Sequence, residues 1–318
     1  MANNAVLIMP YFGRLPPYFG TYLKSLEGKN MDVLWISDIE VPRHPDNFKI
    51  VRMTFDDVRA RFHKTLCTEV VINGGRRLCD FRPMYAKVFG EYIKEYEYWG
   101  WGDCDLVYGR KFNEFLDHTV ATNKYDAISM HNTFMTGPTS FYRNSKQMRE
   151  LYLKANNWRE VCSFDGPGGV LIFDECGGQF HRKLMSHAMT LEDCTKIRDS
   201  FSSVVWRESG INIYHCDAID EESLAGGEVV SMKDGCLAID GREILVFHFV
   251  QAKVPRWFRF RNVPYEKVRD YWIDSTGFYH SNLTWRMRWL CRPARKGMAA
   301  VEAIGKHGVG HVLKRLIH

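Results

Sequence analysis

No apolar run in the 318 residues reaches the length of about 18 that a membrane-spanning helix needs, so the sequence predicts no membrane span. Internal repeats and low-complexity tracts are missing too, which excludes repeat arrays and compositionally disordered stretches. The nine cysteines (67, 79, 104, 162, 176, 194, 216, 236 and 291) form no Cys-x-x-Cys pair and are odd in number. A zinc ribbon is therefore unsupported, and a reducing, cytoplasmic setting is expected. The amino terminus lacks the pattern of a secretory leader, because polar Asn3-Asn4 runs directly into strand-like Ala5 to Met9. No recognised nucleic-acid-binding module is present, so no nucleic-acid partner is expected.

Aromatic residues, by contrast, are plentiful at 14%. They suit sugar faces and nucleobases, and they also fill ordinary cores. The net charge of +5 is carried by the tail. From Arg286 to His318 there are eight Lys/Arg (Arg286, Arg288, Arg292, Arg295, Lys296, Lys306, Lys314, Arg315) against Glu302 alone. The rest of the chain is slightly acidic.

Hydrophobic patterning predicts a buried strand over Ala5–Met9, a helix through Tyr18–Leu26, a second strand over Met31–Asp38 and a third over Phe48–Met53. Helical spacing follows in Phe55–Leu66 and again in Met84–Tyr96. Farther on, Tyr125–Met130 reads as a strand and Lys146–Asn156 as a helix. Leu237–Phe249 reads as two strands around an Asp240-Gly241 turn. Alternating strands and helices in the first half predict an α/β fold with a mostly parallel central sheet. In such sheets ligands bind beyond the carboxyl ends of the strands, where Asp38 and the pair Asp103/Asp105 fall. Pro255 begins a candidate extension, which divides the chain into 1–254 and 255–318.

The run Trp99-Gly100-Trp101-Gly102-Asp103-Cys104-Asp105-Leu106-Val107-Tyr108-Gly109 carries the most chemistry. On an extended strand, positions i and i+2 share a face, so Asp103 and Asp105 are expected to converge. Mg²⁺ is typically held by one or two carboxylates, with substrate phosphates and water completing its shell. A diphosphate-bearing substrate follows from that arrangement. The alternative is an Asp-x-Asp in a solvated turn.

Four segments together, Ile8-Met9-Pro10-Tyr11-Phe12-Gly13, Trp35-Ile36-Ser37-Asp38, Arg77-Leu78-Cys79-Asp80-Phe81-Arg82-Pro83 and Trp99 to Gly109, resemble bacterial glycosyltransferase-like proteins of polysaccharide clusters. That family is of the GT-A type and is otherwise uncharacterised. The resemblance spans roughly residues 5 to 250 and implies a Rossmann-like nucleotide-sugar domain over 1–254, followed by a basic helical extension. It implies Asp103 and Asp105 on Mn²⁺ or Mg²⁺ at the donor diphosphate, and Asp38 at the nucleoside. Pro10, Tyr11 and Gly13 would line the nucleotide pocket, with Tyr11 either stacked on the base or packed as a loop aromatic. Asp80 and Arg82 would lie near the pyrophosphate, or else form a pair that orders their loop. The block Leu245 to Lys253 resembles the late segment in which a histidine closes the metal shell. That implies His248 as third ligand, with Lys253 reaching a phosphate, the alternative for a lone histidine between apolar neighbours being a satisfied core or surface residue.

Asp174 and Glu175 lie where inverting enzymes of this type carry the base that deprotonates the acceptor hydroxyl. The glycines around them (166, 168, 169, 177, 178) suit a mobile acceptor-side loop, while a helix-capping role for either acid is the alternative. The implied reaction is metal-dependent transfer of a sugar from a nucleotide-sugar to a glycan or lipid-linked glycan. The basic, Trp-rich tail would rest on the cytosolic face of an anionic membrane. Two other classes use parts of the same pattern: a metal-dependent phosphohydrolase or nucleotidyltransferase, and a sugar-binding protein without catalysis. The former usually needs further clustered His or Asp ligands, and the latter does not need the paired carboxylates.

Overall fold

A computed structural model of the chain describes residues 3–166, 169–221, 223–224, 227–256, 258–280, and positions 293, 297, 300, 301, 304 and 305, with the side chains at 178, 179 and 182 excepted. The expected basic extension of residues 286–318 lies almost wholly outside the described residues. Among the described residues, no helix is long and apolar enough to cross a membrane, and the eight cysteines are all free thiols.

The described strands, in chain order, are β1 (Ala5–Pro10), β2 (Asp32–Ser37), β3 (Phe48–Arg52), β4 (Tyr98–Gly102), β5 (Leu106–Tyr108), β6 (Ala127–Ser129), β7 (Thr139–Arg143), β8 (Ile213–His215), β9 (Ile219–Asp220), β10 (Val230–Lys233), β11 (Cys236–Ile239), β12 (Arg242–Glu243), β13 (Val246–His248), β14 (Tyr271–Asp274) and β15 (Gly277–Tyr279). The chain divides into two compact units. The first comprises residues 1–15, 26–104 and 112–219, and the second 16–25, 105–111 and 220–318. The division therefore falls at 15/16, 25/26, 104/105, 111/112 and 219/220. Residues 220–254, grouped by sequence with the first domain, share a core with residues 258–278.

The first unit is built on a seven-stranded sheet of order β3-β2-β1-β4-β7-β6-β8. Its pairings are parallel except where β7 runs antiparallel to β4 and β6. The expected mostly parallel α/β sheet is thus present. In β1, Ala5 to Met9 are all buried, as a strand covered on both faces requires. One cover is the helix Phe55–Leu66, which starts where Thr54 and Asp57 exchange side-chain-to-backbone hydrogen bonds in a capping box. Its buried residues Val58, Phe62 and Leu66 recur every four positions and join Val6, Ile8, Leu34 and Ile36 in the main core. Each such side chain contributes about 1.5–3 kcal/mol of burial. On the opposite face the helix Lys111–Thr119 sets Phe112 against Phe141 and Phe115 against Tyr214.

Two expected helices are shorter than their spacing implied. Residues Met84–Tyr96 hold the end of a 3₁₀ stretch (Gly75–Met84), one α-turn (Tyr85–Val88) and a 3₁₀ turn (Gly90–Tyr92). Lys146–Asn156 reduces to Lys146–Glu150 and a 3₁₀ turn, Leu151–Lys154.

The second unit holds a five-stranded sheet of order β12-β11-β10-β14-β15, antiparallel throughout its pairings. Its β11–β12 hairpin turns at Asp240 and Gly241, both with positive φ (47° and 86°), as the two-residue hairpin turn demands. β13 leaves this sheet and pairs antiparallel with β5, setting His248 opposite Leu106. The core includes Val107, Leu237, Phe247, Phe249, Tyr271 and Phe278.

Candidate functional site

Site geometry in the first unit begins with β4. Trp99 and Trp101 point to one face and are fully buried against Tyr142, at centroid distances of 5.0 and 4.8 Å. They are core residues rather than a sugar platform. Gly100 faces the other way, where a Cβ would stand 2.0 Å from the Ser140 carbonyl oxygen. β4 ends at Gly102, and Asp103 to Asp105 form a bend instead of the extended strand expected of them. The bend is fixed on one side by the Asp103 amide, which donates to the Pro138 carbonyl at 3.0 Å.

Since β1, β2 and β4 are mutually parallel, Pro10, Asp38 and Asp103 all emerge at the carboxyl edge of the sheet. Pro10 closes β1. Tyr11 follows, its ring stacked on Trp35 at 4.9 Å and its hydroxyl donating to the Arg14 carbonyl. Gly13 is exposed with φ of +109°, a conformation that favours glycine. Asp38 is exposed just past β2, and its carbonyl accepts from Arg52.

Behind this edge lies a buried ionic network. Arg82 donates one guanidinium nitrogen to Asp103 and another to Asp174 Oδ2, the latter at 2.6 Å. Burial opposes its charge, but Asp103 and Asp174 hold its pKa well above the usual guanidinium value. Asp80 is fully buried. It pairs with Arg77 and accepts the backbone amides of Leu171 (2.8 Å) and Phe173 (3.0 Å). Asp80 thus has the loop-ordering geometry, and no oxygen of it faces solvent. Glu175 Oε1 accepts the Gly137 amide at 2.8 Å. Residues 171–175 are in this way held at several points. Asp174 is 1% exposed, and its Oδ1 has no hydrogen-bond partner among the described residues. Burial pushes its pKa up to about 6 against the pull of Arg82. The neighbouring Cys79 thiol is driven up to about 12 by burial, which makes it a poor nucleophile.

The second unit carries its own cluster. Asp105 is buried, with Oδ1 3.5 Å from His248 Nε2, and Oδ2 accepting from Lys253. His248 Nδ1 lies 2.5 Å from Glu221 Oε1. Burial works against a charged ring, but hydrogen bonds to Asp105 and Glu221 outweigh it and lift the His248 pKa to about 10. Burial likewise pushes Asp105 up, yet His248 and Lys253 hold it well below the usual carboxylate range. The Asp105 carbonyl also accepts the Phe249 amide at 3.2 Å, which locks β5 to the end of β13. Lys253 is half-buried, and its ammonium lies 5.6 Å from the Tyr18 ring centre as well as on Asp105.

Two residues that sequence reasoning did not single out complete these clusters. Arg77 is buried among Asp80 and the Val161 and Phe164 carbonyls. Its place beside Asp80 in the motif was the available signal. Glu221 lies in an irregular stretch, and the acidic run Asp220-Glu221-Glu222 was its sole trace in the sequence.

Carboxylate oxygen and imidazole nitrogen form a donor set that suits Mn²⁺ and, less well, Mg²⁺. Asp105 and His248 offer such atoms within 3.5 Å of each other. Asp103 lies two residues upstream, so the covalent chain keeps its Cα within about 7 Å of that of Asp105.

Over residues 7–282 the chain matches a family of unknown function (DUF6625), and it belongs to that family. No curated protein matches it.

Proposed function

We propose that this protein is a metal-dependent glycosyltransferase of the GT-A type, moving a sugar from a nucleotide-sugar to a glycan or lipid-linked glycan in cell-surface polysaccharide synthesis. The observation that carries the reading is the buried pair of Asp105 and His248, 3.5 Å apart, beginning two residues after Asp103 at the carboxyl edge of a parallel sheet. In this reading Asp105 and His248, joined by Asp103, hold Mn²⁺ or Mg²⁺. The bound ion supplies charge to offset that growing on the departing nucleoside diphosphate.

The chain's own residues do the rest. Lys253, paired with Asp105 in the free protein, exchanges that carboxylate for a donor phosphate, for which a mobile ammonium is suited. Arg82 orients Asp103 through a charge-assisted hydrogen bond instead of reaching the pyrophosphate itself. Asp38 and the Pro10–Gly13 turn stand at the strand ends where a nucleoside binds in such sheets. Of the two acids, Asp174 keeps its Oδ1 without a hydrogen-bond partner among the described residues and so is the one assigned to accept the acceptor proton, while Glu175 Oε1 is occupied with the Gly137 amide. The basic tail keeps the enzyme at the cytosolic face of an anionic membrane.

The test is release of nucleoside diphosphate from a panel of nucleotide-sugars with Mn²⁺, with and without a mixed lipid-linked glycan acceptor. Acceptor-dependent release is the expected result. Release that does not need the acceptor would assign a phosphohydrolase instead.

A further inference from the structure

His248 stands between two carboxylates. Its Nε2 faces Asp105 Oδ1 at 3.5 Å and its Nδ1 faces Glu221 Oε1 at 2.5 Å. The ring is 8% exposed and Glu221 24%, so neither partner is a chance contact of long surface side chains. The two contacts differ in kind. The contact to Glu221 is a short hydrogen bond, whereas 3.5 Å to Asp105 is at the limit of one.

We infer that Glu221 is a positioning residue, which accepts a hydrogen bond from His248 Nδ1–H and so holds the ring with Nε2 toward Asp105 as a preset seat for a divalent cation. A carboxylate can accept but not donate, so a neutral imidazole bonded to Glu221 carries its proton on Nδ1. Nε2 is then the nitrogen left to a cation, which on binding displaces the proton that nitrogen carries in the charged ring. The bond to Glu221 also fixes the rotation of the ring, which the 3.5 Å contact to Asp105 alone would not. Metal-binding histidines commonly donate their second ring N–H to a carboxylate in this way, and loss of that partner costs 10–100-fold in metal affinity.

The inference rests on the metal reading above, and the experiment separates the two. Mn²⁺ is titrated into the full chain and the free ion followed by its electron paramagnetic resonance signal. The variants are Glu221→Ala, Glu221→Gln and His248→Ala, each checked for fold by circular dichroism melting in the absence of metal. Glu221→Ala is expected to weaken Mn²⁺ binding by roughly 10–100-fold. Glu221→Gln, whose amide oxygen still accepts from Nδ1, is expected to retain most of the affinity. Should Glu221→Ala fail to fold, Glu221→Met fills the volume without an acceptor and takes its place.

Unchanged affinity in Glu221→Ala alongside its loss in His248→Ala would overturn the positioning role and leave the metal reading standing. Equal damage in Glu221→Gln and Glu221→Ala would also overturn it, because the acceptor would then not be what matters. A wild-type chain that binds no Mn²⁺ overturns the metal reading and this inference with it.

Discussion

At the scale of single residues, the two charged clusters differ in what removal of one member leaves behind. Asp105 contacts both Lys253 and His248. Asp105→Asn keeps the volume and removes the charge, so the account predicts a folded protein that no longer binds nucleoside diphosphate in a metal-dependent way. Calorimetry with and without Mn²⁺ checks this, and retained metal-dependent binding would sink the assignment. Arg82 compensates Asp174 and Asp103, with side-chain exposures of 10%, 1% and 31%. Arg82→Met therefore strands a buried carboxylate, which costs about 3–5 kcal/mol, visible as a lower midpoint in urea unfolding. Asp105 and His248 were singled out through the Asp-x-Asp run and the family resemblance, and the structure brings those two within 3.5 Å of each other. Asp80 was half legible: a loop-ordering Arg–Asp pair was expected with Arg82, and the pair it forms is with Arg77, while Arg82 binds Asp103 and Asp174. Glu221 was not legible, because its partner lies 27 residues away and no local pattern links them.

Secondary-structure elements show where pattern suffices and where packing overrides it. The helix Phe55–Leu66 has a capping box, a four-residue apolar repeat and no internal Gly or Pro, so its bounds follow from the sequence. Met84–Tyr96 has comparable apolar spacing, but Pro83 precedes it and Gly90 interrupts it. Short turns bury Met84, Tyr85, Val88, Phe89 and Ile93 just as fully, so core packing decides the local geometry over helix propensity. The Trp-Gly-Trp-Gly strand is a packing device. Trp99 and Trp101 fill one side, while Gly100 lets β7 approach on the other. Gly100→Ala is expected to cost at least the roughly 1–3 kcal/mol of overpacking, since the added carbon would meet the Ser140 oxygen at 2.0 Å. A melting temperature unchanged from wild type would contradict that role.

For the molecule as a whole, the division of the chain was the least legible property. The second unit is assembled from three separated segments, 16–25, 105–111 and 220–318, and no composition shift marks their ends. β10 pairs with β14 across some 40 residues, Val230 lying opposite Ile273. A chain truncated at residue 254 loses β14, β15 and the core residues Phe258, Tyr271 and Phe278. Limited proteolysis of that truncation is expected to degrade the 220–254 segment rapidly, whereas equal resistance to the full chain would contradict the shared core. Deletion of residues 286–318 removes eight Lys/Arg and one acid, and is predicted to weaken binding to anionic liposomes in flotation assays. Binding equal to that of the full chain would refute the membrane role. The most direct test of the central claim is calorimetric titration of the intact protein with UDP, GDP and CDP, each with Mn²⁺ and each with chelator. The account predicts binding of one nucleotide that requires the metal. Binding that is unaffected by the chelator, or no binding of any nucleotide in the presence of Mn²⁺, would contradict it.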